Sequence, residues 1–256
     1  MRIIRSAAFA AILLFLGFHG IMHTMNSYRA EEAVEEQLQE VAVAVDKEIT
    51  PVSQPAEEEV LGVTRKELPS EIATMAVDFE ALKAINADVV AWIYIPAVDI
   101  SYPVVQGDDN EEYLHMSFDG KKSSAGSVFM NYANSKDFSD ENTFVFAHNM
   151  KNGSMFGALK SFVWNTETVD SDPYIWIFTP DATYQYEIFS AYNTDKDSGM
   201  YQISSDHDGY VENALSQSVI THDCDTDGKL ITLSTCAGFA GSGQRLLVHG
   251  SLVETY

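Results

Sequence analysis

The residues best suited to chemistry lie in Leu230–Gly250, LITLSTCAGFAGSGQRLLVHG. An apolar run ends in Cys236, a loop of small residues follows, and Arg245 opens a second apolar run. Strand alternation puts Thr232, Ser234 and Cys236 on one face and Ile231, Leu233 and Thr235 on the other. A thiol at a strand end, beside the pliable loop from Ala237 to Gly243, is positioned to act as a nucleophile on an approaching chain. A free cysteine is also commonly a small core hydrophobe, and from this strand alone that reading has the edge. Thiolate chemistry further requires a proton carrier and a group that stabilises developing negative charge. Of the seven histidines, His148 ends the apolar run Thr143–Ala147 and so stands at a strand end, as Cys236 does. His115 reads as a helix-end surface group, His207 and His222 as members of acidic loops, and His249 as a packing or edge residue of the last strand. Arg245 carries a permanent charge that can donate to a carbonyl oxygen or an oxyanion, or form an ordinary surface salt bridge.

These groups need a scaffold, and the patterning supplies one. Ile72, Met75, Phe79, Leu82 and Ile85 recur at helical spacing, which predicts a single amphipathic helix opening the folded domain. Runs rich in Val, Ile, Phe, Tyr and Thr then predict strands at Val89–Ile95, Val98–Pro103, Ser127–Met130, Thr143–His148, Tyr174–Thr179, Thr183–Tyr192, Leu230–Cys236 and Arg245–Val253. Helical insertions are expected at Asp109–Leu114, at Gly153–Val163, and at Asp206–Val219 with Tyr210, Val211, Leu215 and Val219 on one face. Eight strands with few helices argue for a mainly β fold closed into a barrel, since closure removes exposed edges.

The chain has 256 residues, enough for one well-buried domain plus appendages, and a net charge of -23, which sets nucleic-acid binding aside. Two cysteines, Cys224 and Cys236, do not make a disulfide scaffold. Arg2 and Arg5 precede the apolar run Ala7–Met25, and an acidic sequence follows. That asymmetry predicts an uncleaved membrane anchor with a cytoplasmic N-terminus and the remainder outside the cell. The expected organisation is an anchor over residues 1–26, an acidic stalk and linker over 27–70, and a catalytic domain over 71–256. Asp223–Gly228 reads D-x-D-x-D-G, the opening of a calcium loop, but the twelfth position is Ser234 rather than Glu, so it is taken as an acidic turn with no metal assigned.

Thr232-Leu233-Ser234-Thr235-Cys236 followed closely by Arg245 resembles the sortases, cysteine transpeptidases of Gram-positive cell surfaces. Tyr102–Gly107, Tyr113-Leu114, Gly126–Met130, His148-Asn149-Met150 with Gly153–Phe156, and a helix between the sixth and seventh strands are similar to class B. The resemblance implies an eight-stranded sortase-type barrel over about Glu71–Tyr256. It implies that Cys236 attacks the threonine carbonyl at the Thr–X bond of a sorting signal, that His148 is the acid/base, and that Arg245 stabilises the oxyanion. Asn110, Leu114, Tyr201 and Ser234 match positions that touch substrate, and the Ala237 backbone N–H is a candidate oxyanion donor. Phe146 stands where relatives often have tyrosine, so a hydroxyl near the site is missing. The implied partners are exported proteins with an Asn-Pro-x-Thr-type C-terminal signal and the amine of a peptidoglycan precursor or a pilin lysine, with no cofactor. Rival readings are a hydrolytic surface cysteine peptidase, a pilin polymerase, and an acidic cation-binding module with a decayed site.

Overall fold

The computed structural model describes residues 67–202, 206–238 and 242–256. The expected anchor and nearly all of the stalk lie outside the described residues, as do residues 239–241 of the loop after Cys236. Among the described residues no helix is long and apolar enough to cross a membrane.

Eight strands form a closed barrel in the order β1-β2-β3-β4-β7-β8-β6-β5. They are β1 (Val89–Ile95), β2 (Ile100–Val105), β3 (Val128–Met130), β4 (Asn142–Phe146), β5 (Tyr174–Phe178), β6 (Thr183–Asp195), β7 (Leu230–Cys236) and β8 (Gln244–Thr255). The inner faces fill the barrel with Ile93, Val104, Val145, Ile231, Leu233 and Val248, among others. Outside, one cluster around Trp92, Phe129 and Trp176 is covered by the N-terminal segment, and a second around Phe189, Tyr192 and Leu230 is covered by a helix.

Several boundaries move from their predicted places for local reasons. The single opening helix is two, α1 (Ser70–Ala73) and α2 (Phe79–Ile85). Asp78 starts the second by accepting the Ala81 N–H at 2.9 Å, an N-cap signal stronger than the apolar spacing that runs across it. Ile85, on the predicted buried face, is half exposed. Pro96–Val98 close a 3-10 turn ending at Asp99 (φ 54°), so β2 begins only at Ile100. It runs on past Pro103 because pairing with β3 starts at Val104, beyond the missing proline N–H. The Gly153–Val163 insertion is a 3-10 turn, Phe156–Lys160, leading into α3 (Ser161–Trp164), with α4 (Thr168–Ser171) after it.

The last helix, α5 (His207–Gln217), is capped by Asp206, which accepts the Gly209 N–H at 3.1 Å. Its buried face is Tyr210, Val211 and Ala214, whereas Leu215 and Val219 of the predicted stripe are exposed. The helix stops at Gln217, so Val219 no longer follows its periodicity. Each large side chain buried on that face contributes about 1.5–3 kcal/mol toward docking α5 on the sheet.

Candidate active site

Cys236 is the exposed last residue of β7, and the antiparallel register with β8 sets it directly opposite Arg245. On its other side β7 runs parallel to β4, with Phe146 opposite Ser234. His148 and Cys236 each lie two residues beyond that pair, at the same level along the two chain segments. The chains stay together past the last rung: the Ala147 N–H donates to Ser234 O (3.3 Å) and the Thr235 hydroxyl to Ala147 O (2.8 Å). β4 ends at Phe146, so His148 is not the end of its strand, as alternation predicts, but the second residue beyond it.

His148 has an orienting partner that no sequence pattern marked. Its Nε2 lies 2.8 Å from the Leu114 carbonyl oxygen. A carbonyl only accepts, so Nε2 carries the hydrogen and Nδ1 presents its lone pair. This is the way a third group can hold an imidazole in one orientation, here supplied by backbone. Gly126 secures that backbone. At φ +62° a Cβ there would sit 2.6 Å from Tyr113 O and 2.7 Å from Leu114 O, while the adjacent Ser127 N–H donates to Tyr113 O (2.9 Å). His115 is exposed, as expected of a surface group, yet its ring centroid is 6.2 Å from that of His148.

On the outer face of β4, Phe144 and Phe146 stack their rings at 6.3 Å, and Phe146 is only partly buried. Leu114 packs in the same cluster as Phe146 on one side. On the other side Tyr201 stacks over Phe146 (6.5 Å, 18°) and shares a 2.7 Å hydrogen bond with the Ser234 hydroxyl. Burial raises the Tyr201 phenol above its usual value; the Ser234 bond and the Arg245 charge pull it down, and Cys236 adds to the rise. The hydroxyl that Phe146 lacks is thus present near the site, contributed by Tyr201 from a different element.

Three of the expected site residues, Ala237, Arg245 and Asn110, are engaged within the protein. The Ala237 N–H donates to Gln244 O at 2.9 Å, closing the β7–β8 ladder, so it is not free for an oxyanion in this state. Arg245 Nη1 donates to the same Gln244 oxygen at 3.1 Å. The Asn110 Oδ1 accepts the Tyr132 N–H (3.0 Å) and its amide reaches Asn131 Oδ1 (3.4 Å), bracing the turn after β3.

Cys224 stands apart, half-buried in the second outer cluster, with its thiol pushed up to about 12 by burial and by nearby acids. Both cysteines are free. Asp225 of the acidic turn accepts the Asp227 N–H (2.9 Å), and the turn leads into β7, not into a helix. His207 begins α5 and its Nε2 lies 2.7 Å from Thr226 O, while His222 pairs with Glu187 at 2.8 Å.

A closed barrel that sets an exposed thiol opposite a guanidinium, with an imidazole just past the neighbouring strand, is the frame of a cysteine acyl-transfer enzyme. The family model described as Sortase domain matches residues 93–253. Sortase B of Listeria monocytogenes is 35% identical over 181 residues, spanning 67% of this chain and 72% of that protein. The structure of the Staphylococcus aureus sortase B–substrate complex superposes with a TM-score of 0.64 at 27% identity, over 69% of this chain and 84% of that one. A sortase B complexed with triglycine gives a TM-score of 0.63 at 26% identity, over 69% and 85%. The chain belongs to the sortase family, class B, and is a cysteine transpeptidase.

Proposed function

We propose that this sortase cleaves a C-terminal sorting motif of Asn-Pro-x-Thr type after the threonine and transfers the acyl product to an amine of a cell-wall precursor. The observation that carries the reading is that Cys236 pairs with Arg245 across β7–β8, while His148 follows β4 two residues past the Phe146–Ser234 pair, as Cys236 does on β7. The Cys236 thiolate attacks the threonine carbonyl carbon, forming a C–S bond and an oxyanion that Arg245 stabilises. Collapse breaks the C–N bond, and the leaving amine takes the proton of the His148 imidazolium. An incoming amine then attacks the thioester and gives its proton to His148 Nδ1. A C–N bond forms, the C–S bond breaks, and the thiolate is restored. Leu114, Phe146, Tyr201 and Ser234 line the path of the peptide. The substrate and triglycine complexes of related enzymes support a peptide donor and an amine acceptor.

In this reading the N-terminal segment anchors the enzyme at the outer face of the membrane, where a short stalk raises its effective concentration near exported substrates. The test is mass spectrometry of a sorting peptide incubated with and without a small amine. The wild type is expected to form the peptide–amine conjugate, Cys236→Ala none, and His148→Ala and Arg245→Ala far less, on the order of a hundredfold or more for loss of an oxyanion donor. Release of hydrolysed peptide alone, at saturating amine, would replace transfer with peptidase activity. Cleavage by Cys236→Ala at the wild-type rate would falsify the nucleophile assignment.

A further inference from the structure

We propose that Asn149 is a positioning residue for the nucleophile, clamping the Cys236–Ala237 peptide to the turn that carries His148. The Asn149 side-chain amide donates to the Cys236 carbonyl at 2.7 Å, joining residues 87 positions apart. This rests on Cys236 being the nucleophile.

Backbone pairing between β4 and β7 ends at Phe146 and Ser234. Only the Ala147 N–H and the Thr235 hydroxyl extend it, and the Asn149 amide then acts as one further rung. The base of this arm is firm. Asn149 bridges Met155 in antiparallel fashion, the Phe156 N–H donates to His148 O (3.1 Å), and both Met155 and Phe156 are buried. On the far side the Ala237 N–H is held by Gln244 O. The peptide unit between Cys236 and Ala237 is planar and rigid, so holding its oxygen from one side and its nitrogen from the other fixes the plane. Cys236 itself is exposed, so packing on its side chain does little to aim it, and the orientation of the following peptide matters correspondingly more. Without Asn149 the carbonyl turns to water and the plane rocks about the Gln244 contact. A misplacement of about 1 Å can lower a rate roughly a hundredfold.

The experiment compares Asn149→Ala, Asn149→Asp and Asn149→Gln with the wild type in single-turnover acylation of Cys236 by a sorting peptide, with KM and thermal midpoint recorded alongside. Asn149→Ala is expected to acylate about ten- to a hundredfold more slowly with KM within about twofold. Asn149→Asp, which fills the same volume but offers only acceptors, is expected to be no better than alanine. Asn149→Gln, which keeps the donor on a longer arm, recovers part of the rate. Acylation within about twofold of wild type in both the alanine and aspartate variants overturns the clamp, as does full rescue by aspartate. Should alanine fail to fold, the aspartate–glutamine pair decides alone. A wild type that forms no thioester at Cys236 overturns the catalytic reading and the clamp together, whereas normal wild-type acylation with normal variants removes only the clamp.

Discussion

In the proposed mechanism Leu114 acts through its backbone carbonyl, 2.8 Å from His148 Nε2, and the nearest residue that can test this is Gly126. A methyl group there would press on Tyr113 O and Leu114 O, at a φ that non-glycine residues adopt only with strain. Gly126→Ala is expected to destabilise the fold by about 1–2 kcal/mol, more than the gain such a change gives at an unstrained site. It should also shift the carbonyl that holds His148 Nε2, so kcat falls by more than the loss of folded protein explains. Denaturant titration alongside kcat separates the two effects. A kcat that follows the folded fraction alone would mean that the Leu114 contact does not orient the imidazole.

Among the elements, α5 does more than cover the sheet. Its Tyr210 hydroxyl donates to Met200 O (3.0 Å) and lies 3.2 Å from the Thr232 hydroxyl, so the helix holds the segment whose next residue is Tyr201. Tyr201 in turn reaches Ser234, two residues before Cys236. Tyr210→Phe keeps the ring and removes the tether, leaving a buried carbonyl short of a donor at a cost of about 1–3 kcal/mol. The expected result is a KM for the sorting peptide raised several-fold with kcat little changed, read from steady-state kinetics. An unchanged KM would show that the Tyr201 segment holds its place without the helix.

Across the whole molecule, β8 carries His249 into a fully enclosed site between Thr232 (3.0 Å) and the Tyr192 hydroxyl (3.1 Å), flanked by Phe189 and Tyr210. The residue that alternation marks only as packing or edge is a buried, neutral ring whose pKa burial lowers to about 3. The unfolded chain takes up a proton near pH 6.5, the ordinary value, and the folded chain only near 3. Between those limits the unfolded state binds more protons, so stability is fully present above about pH 6.5 and is lost as pH falls toward 3. His249→Gln should lower stability at neutral pH through its altered hydrogen bonds, yet flatten the loss between about pH 6.5 and 4.5, where most carboxylates remain ionised. Chemical denaturation across that range checks it, and parallel slopes for variant and wild type would remove His249 from the acid response.

Much of the scaffold was legible in one dimension. β1 and β7 run between their predicted ends, and the other strands shift by a few residues, because alternation and turn chemistry are local properties of the chain. The thiol at the end of β7 and the arginine near the start of β8 were likewise readable, and the antiparallel register of the two strands sets them opposite each other. The parallel pairing of β4 with β7 is different. It joins segments far apart in sequence, and only the closed barrel sets the register that lines up His148 with Cys236. The Leu114 carbonyl, the Asn149 amide and the occupied Ala237 N–H were also beyond sequence reading. A backbone carbonyl or N–H looks the same at every residue, and its partner is decided by the tertiary path that brings the two together.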